Sequence, residues 1–441
     1  MRPPAALGAV CAIAVGLMVV HLQAGVALIV PATAGVLALG VLVRGLIKWP
    51  DDGAAEKRIL IWTMAAFGIH LLVGLVVTNI PQLRYYLATD SYVYENIAKE
   101  IVRHWNEGFP IPKIPTGKEG FYYLLAAIYW VFGAHTAAGL SLNATFASAL
   151  VPVVANTTDQ LFGREAARRV PPLVVLLPSI FLLTSQLMKE APILLLIACA
   201  ANGAVRISRR FTPGAVAAMT VPLALLLTFR AWVALVVAQG LVAGIVLAKR
   251  ELVTAVGTAV SALAVLALLV IPLGVGYSGY RTAITTDLRY ANEVRQDLAV
   301  SATSGFAADA DISTSEGALT YLPRGLVSVS LGPFPWQIRG IRHVPALIDV
   351  LVIWALLPSL WLGYRTARRR TGRHLMVIVL PALATLFLLA LSIGNFGTIT
   401  RERMQVLVLL TPLIACGLAE RLQRGRQETR EPERLPATVP A

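Results

Sequence analysis

The chain has 441 residues, of which 57% are hydrophobic and only 14% charged, and its mean hydropathy is +0.70. A soluble domain carries nearer a quarter charged residues, so this balance excludes an ordinary globular protein and points to a bilayer. The formal charge of +14 does not argue for nucleic acid, because most basic residues fall in short loops between apolar runs, where they set orientation.

Taken in chain order, the first apolar stretch follows a single Arg2 and runs over 5–20. The charged region before it is thin and a second apolar run, 26–43, follows at once. This reads as a retained helical hairpin rather than a cleaved signal. Runs near 20 residues, the length a hydrocarbon core of about 30 Å requires, recur along the chain. They predict spans at 5–22, 26–43, 59–78, 140–160, 168–186, 191–207, 213–229, 231–248, 253–273, 345–364, 375–393 and 404–419, an all-α bundle of about 12 crossings. With the N-terminus inside, Arg44, Lys48, Lys57, Arg58, Arg164, Arg168, Arg169, Arg206, Arg209, Arg210, Lys249, Arg250 and the Arg365–Arg373 cluster all fall in the cytoplasm, as does the C-terminus. The apolar piece 121–132 is too short to span, and counting it would invert every later loop; it reads as a re-entrant or interfacial helix.

The expected organisation is an N-terminal hairpin and cytoplasmic loop (1–58), a transmembrane core (59–273) with an external loop at 79–120, a second external loop (274–344), C-terminal transmembrane helices (345–422) and an unstructured cytoplasmic tail (423–441). In the first external loop Val93, Ile97, Ile101 and Trp105 recur at four-residue spacing, which predicts an amphipathic helix at the interface. In the second, the small and polar stretch 301–315 predicts mobile chain, and the Pro-containing apolar piece 321–336 a return to the membrane surface.

Ionisable residues at membrane depth need a reason. The outer span ends hold Asp90, Lys189, Glu190, Arg230, Arg401, Glu402 and Arg403, all on one side in this topology. Asp90, in Ala88-Thr-Asp-Ser-Tyr92, is either a general base with a pKa raised by desolvation or the N-cap of the following helix. Lys189 and Glu190 lie between two apolar runs with almost no loop; a simple turn with its own ion pair is the plain reading, but a tight external turn needs neither charge. Arg230 interrupts a long apolar run, by snorkelling or as a phosphate contact. Arg401 and Arg403, in Asn395-Phe-Gly-Thr-Ile-Thr-Arg-Glu-Arg403, run against the positive-inside bias and suit an anionic headgroup; Arg324 is a weaker candidate of that kind. Three cysteines and six histidines show no metal-ligand spacing, and Asp309-Ala-Asp311 sits in the small, polar stretch, so no metal or other cofactor is indicated. Two glycosylation sequons, at Asn143 and Asn156, fall in or at the ends of a span and read as chance.

Over residues 80–210 the chain resembles the GT-C superfamily of membrane glycosyltransferases, and within it the bacterial relatives of protein O-mannosyltransferases and aminoarabinose transferases. The resemblance is carried by Asp90 soon after a span, by Pro115-Thr-Gly-Lys-Glu-Gly-Phe-Tyr-Tyr-Leu-Leu125 leading to Trp130-Val-Phe-Gly133, by Leu161-Phe-Gly-Arg-Glu-Ala-Ala-Arg168, and by Leu177-Pro-Ser179 followed by Ser185-Gln-Leu-Met-Lys-Glu190. It implies transfer of a sugar from a polyprenyl-phosphate carrier to the hydroxyl of a glycan, lipid or protein acceptor on the outer face of the cell membrane, in cell-envelope or exopolysaccharide synthesis. Asp90 would then be the base, Glu190 a second acid, and Lys189, Arg230, Arg401 and Arg403 the candidates to stabilise the departing phosphate. A polysaccharide polymerase or ligase centred on Arg324, and a lipid-linked glycan transporter or flippase, are the alternatives.

Overall fold

The computed structural model describes residues 25–114, 117–249, 257, 288–302, 304–338, 340 and 344–430. Among them the structure is helical, with one isolated antiparallel bridge, Gly305 to Asn395. The helices are α1 Gly25–Leu46, α2 Gly53–Asn79, α3 Pro81–Leu87, α4 Asp90–Glu107, α5 Glu119–Phe132, α6 Thr136–Phe162, α7 Arg164–Leu176, α8 Pro178–Thr184, α9 Glu190–Arg209, α10 Pro213–Ala248, α11 Leu288–Ser301, α12 Ser315–Leu331, α13 Val344–Arg370, α14 Met376–Ser392 and α15 Phe396–Arg430.

Among the described residues eight helices are long and apolar enough to cross a membrane, and nine crossings result if α7 and α8, bent by 58°, count as one. With the two arms of α10 counted apart there are ten, and the expected twelve are not confirmed. Spans 5–22 and 253–273 lie outside the described residues. The expected span 168–186 is the bent pair: Leu177 is extended (φ −61°, ψ 120°) before Pro178, which opens α8.

The expected spans 213–229 and 231–248 are the two arms of α10, which breaks at Arg230 with an extended φ/ψ of −166°/85°. Unbroken, it would be about 54 Å long, against roughly 30 Å of hydrocarbon. Its contacts show instead that it folds back. Gly203 of α9 lies against Ala218 and Met219 of the first arm, and Gly240 and Gly244 of the second lie against Pro381 and Val377 of α14. His374 shares a hydrogen bond with Ser208 (3.1 Å), and the charges of Arg209 and Lys249 both act on it. Residues 209–213 and 248–249 thus sit at one end of the bundle, and Arg230 sits at the other.

The same two ends order the rest. The basic end gathers Arg168 with Asp52, Arg370 with Glu420 (3.0 Å), and Thr371 donating to the Leu161 carbonyl (3.1 Å). Trp49 donates to Asp159 (2.7 Å) there, and Asn156 to the Leu46 carbonyl (2.6 Å). At the opposite end, Thr136 donates to Glu95 (2.6 Å), and a Cβ on Gly120 would strike Thr228. The short helix α5 therefore begins at the same end as the α6 start that follows it, and does not cross.

Two expectations about the external segments change. The packed face of α4 is Ser91, Tyr94, Glu95, Ala98, Ile101 and Val102, while Val93 and Trp105 of the expected stripe are exposed. The helix sits on α5, so its inner face follows the contacts with Phe121 and Tyr122, and Val93 and Trp105 are left for the surroundings. The stretch 301–315 is pinned rather than loose. Buried Arg295 donates to the Ala307 carbonyl (2.7 Å), Ile312 donates to Asn292 (3.1 Å), and Phe306 stacks on Phe396 (4.5 Å). The tail from Gln423 is helical as far as Arg430, supported by the Glu420–Arg424 pair at one-turn spacing (3.3 Å).

In a chain freed of Cys11, Cys199 and Cys416, cysteines introduced at Thr212 and Lys249 are expected to react with a membrane-impermeant maleimide from the same side, and one at Lys118 from the other. Labelling of positions 212 and 249 from opposite sides would contradict the fold-back at Arg230.

Candidate active site

Three helix starts and one helix break converge at the end away from the basic loops. Asp90 opens α4, Glu190 opens α9, residues 401–403 lie in the second turn of α15, and Arg230 is the break in α10. Arg401 is the hub: its Nη1 donates to Asp90 Oδ2 at 2.7 Å, and its Nε lies 2.5 Å from Glu190 Oε1. The second contact is a close ion pair whose geometry is not that of an aligned hydrogen bond. Arg230 pairs with Glu402, whose Oε2 also accepts from Gln405 Nε2 (2.7 Å).

Asp90 does not cap its helix. Thr89 holds the cap position in helical conformation, and the Asp90 carboxylate turns to Arg401. Nor is its pKa raised as desolvation alone would have it: burial pushes it up, but the Arg401 guanidinium, with Lys118 and Lys189 behind it, outweighs this and holds the carboxyl below the usual range. Asp90 is therefore an ionised acceptor at neutral pH, and its side chain is half-exposed.

Lys189 and Glu190 are not a turn with its own ion pair, since Glu190 goes to Arg401. The non-helical stretch 185–189 that presents them is clamped by Asn143 of α6, whose amide donates to the carbonyls of Gln186 (2.5 Å) and Met188 (2.7 Å). The sequon at Asn143 thus has a structural use: the residue is wholly buried. Lys189 is only 1% exposed. Lys118, half-buried in the loop before α5, acts electrostatically on Asp90 and shares the neighbourhood of Arg230 and Arg401. Sequence reasoning missed Lys118, although it stands inside the quoted Pro115–Leu125 motif. Among the described residues neither lysine has a carboxylate within ion-pair distance. Four basic side chains (Lys118, Lys189, Arg230, Arg401) thus face three carboxylates (Asp90, Glu190, Glu402).

Two candidates lie elsewhere. Arg403 is buried, donates to the carbonyls of Gly332 (2.6 Å) and Val329 (3.3 Å), and pairs with Asp349 (2.8 Å), which in turn accepts from the Ser179 amide (2.9 Å). It ties α15, α13 and α8 together and is not available to a headgroup. Arg324 is 56% exposed and pairs with Asp309 at 3.2 Å. Asp311 accepts from the Ser313 amide, so the Asp309/Asp311 carboxylates are engaged locally. No cluster of three or more metal-ligating side chains occurs among the described residues.

Three cavities reach this end. One of about 480 Å³ is walled by Tyr86–Asp90, Pro178, Phe181–Leu183, Pro345 and Ile348, and has Arg401 in its lining. A second, of about 280 Å³, has Arg230 and Glu402 on one side and Tyr290 and Val294 of α11 on the other. A third, of about 400 Å³, is an apolar groove between α5, α6, α9 and α10, running up to Gly120, Thr228 and Phe229.

No family model matches this sequence, and no curated protein matches it. Among solved structures the fold is similar to the archaeal oligosaccharyltransferase AglB from Archaeoglobus fulgidus, determined with an inhibitory peptide and a dolichol-phosphate. The TM-score is 0.49 at 15% sequence identity, over 86% of this chain and 52% of the other, so this chain spans about half the length of that protein.

Breaking the Arg403–Asp349 pair leaves a buried charge without its partner. Arg403→Met and Asp349→Leu are each expected to lower stability by about 3–5 kcal/mol, and the double variant by clearly less than their sum. Thermal unfolding in detergent micelles measures this; additive losses would mean that the two side chains do not act as a pair.

Proposed function

We propose that this protein is a membrane glycosyltransferase that moves a sugar from a polyprenyl-phosphate carrier to an acceptor hydroxyl on the outer face of the cell membrane, in cell-envelope or exopolysaccharide synthesis. The observation that carries the reading is the juxtaposition of one half-exposed, ionised carboxylate, Asp90, with a cluster of basic side chains that outnumbers its carboxylates. Such a site suits a reaction in which a hydroxyl loses a proton while a phosphate departs.

In this reading the acceptor hydroxyl enters the cavity beside Asp90, which takes its proton. The new bond forms at the anomeric carbon as the bond to the phosphate oxygen breaks. The negative charge gathering on the phosphate is met by Lys118, Lys189 and Arg230, while Arg401 keeps Asp90 ionised. The apolar groove beneath Lys118 and Arg230 suits an isoprenoid chain. The basic residues at the far end of the bundle support an outward-facing site through the positive-inside rule. The polymerase reading centred on Arg324 draws no support, since that side chain is paired with Asp309 at the surface.

Membranes from expressing cells, supplied with radiolabelled polyprenyl-phosphate sugars, are expected to transfer label with wild type. With normally inserted Asp90→Asn the expected loss is about 100-fold or more, the scale of a general base. Equal transfer by both would remove Asp90 from catalysis and sink this reading.

A second expectation concerns pH. Because Arg401 holds the Asp90 pKa down, wild-type transfer is lost on the acid side only as pH falls below the ordinary carboxylate range. In Arg401→Gln burial is no longer outweighed to the same degree, so the acid limb moves up. An unmoved acid limb in that variant would show that Arg401 does not set the ionisation of Asp90.

A further inference from the structure

The Lys189 side chain is 1% exposed and stands among charges contributed by every element around it. Glu190 adjoins it on α9, Arg230 faces it from α10, Lys118 from the loop before α5, Arg401 and Glu402 from α15, and Asp90 from α4. Each carboxylate in that set already has an arginine as its ion-pair partner, although Glu190 Oε2 and Glu402 Oε1 make no hydrogen bond. Asp90 and Glu190 are drawn to Arg401, and Glu402 to Arg230 and Gln405. No hydrogen bond or ion pair to the Lys189 amine occurs among the described residues.

An ammonium in that position would be largely desolvated and without a carboxylate at ion-pair distance, a cost that a lysine avoids by giving up its proton. Burial pushes the Lys189 amine far down, and the neighbouring Arg230 guanidinium pushes the same way, with Lys118 and Arg401 adding to it against Glu190. Arg230 and Arg401 cannot relieve the crowding by deprotonating, because guanidinium groups stay charged. Lys118, only half-buried, is pushed down for the same first reason.

We infer that Lys189 is a neutral amine while the site is empty and takes up one proton from solvent when a phosphate enters. This rests on the phosphate-leaving reading above and deepens it. An entering phosphate monoester brings close to two negative charges and strong acceptor oxygens. The neutral amine gains a proton and becomes an ammonium donating to the phosphate, with no other bond made or broken. The site thus carries its full positive charge only with an anion in it, which spares the empty protein a crowd of uncompensated cations. The sign follows from linkage. Between the pKa of Lys189 in the empty site and its higher value in the loaded site, binding consumes a proton and weakens as pH rises.

The test is calorimetric titration of the full chain in detergent micelles with farnesyl phosphate, a short prenyl monophosphate, at pH 8 in buffers of different ionisation heat. At that pH the phosphate is already a dianion, so proton exchange belongs to the protein. Wild type is expected to take up about one proton per ligand, with Kd rising about tenfold per pH unit where uptake is complete. Lys189→Met, a neutral side chain of similar length, is expected to bind more weakly with uptake abolished. Lys189→Arg is expected to bind with uptake abolished, and Lys118→Met to keep most of it. Wild-type binding without uptake, or uptake that persists in Lys189→Met, overturns the inference while leaving the phosphate reading in place. No binding of farnesyl phosphate by wild type overturns both.

Discussion

The structure depends most on the placing of Arg401. A guanidinium at the edge of an apolar bundle must be met by acceptors, and this one draws on two carboxylates from distant parts of the chain, Asp90 and Glu190. Meeting them fixes where α4 and α9 begin relative to α15. It also fixes the chemistry: a carboxylate whose pKa burial alone would raise is held below the usual range and half-open to a cavity.

Consecutive residues on an α-helix point about 100° apart, and α15 uses this to send three charges in three directions. Arg401 turns to the starts of α4 and α9, Glu402 to the break in α10, and Arg403 to Asp349 and the carbonyls of Val329 and Gly332. The first two sit in the site; the third is a brace. The Arg230–Glu402 pair also gives the reversal of α10 a physical anchor. The residue that leaves helical geometry is the one whose side chain is held by a charge on another helix.

The sequence carried the larger features in readable form because they are set by composition along the chain. The crossings of α1, α2, α6, α9, α13, α14 and α15 follow from apolar length, the short α5 from having too little of it, and the common end of the basic loops from charge. The coming together of Asp90, Lys189, Glu190, Arg230 and Arg401 at one end followed from topology alone. What a one-dimensional reading could not supply is pairing. Nothing in Arg-Glu-Arg at 401–403 tells which arginine finds a cavity and which finds Asp349. Nothing in the 93/97/101/105 spacing tells that α4 turns a different face to α5. The polar stretch 301–315 reads as loose because its anchors, Asn292, Arg295 and Phe396, lie outside it.

The two basic side chains without ion-pair partners share a local feature: each stands at the residue just before a helix. Lys118 ends the loop before α5, and Lys189 ends the stretch between α8 and α9. Irregular backbone near membrane depth is tolerated only where its polar groups are answered by protein or lie along a wet cavity. Asn143 answers two carbonyls of the second stretch from within α6. A regular helix could have carried Lys189 across this region with its backbone satisfied internally. The chain instead spends a buried amide on holding five residues out of helix, and the result is an amine and a carboxylate side by side at the start of α9, one unpaired and the other given to Arg401. The loop before α5, the connection between α8 and α9, and the break at Arg230 thus mark the places where the bundle brings charge to a single end, and the site is built from them together with the first turns of the helices around them.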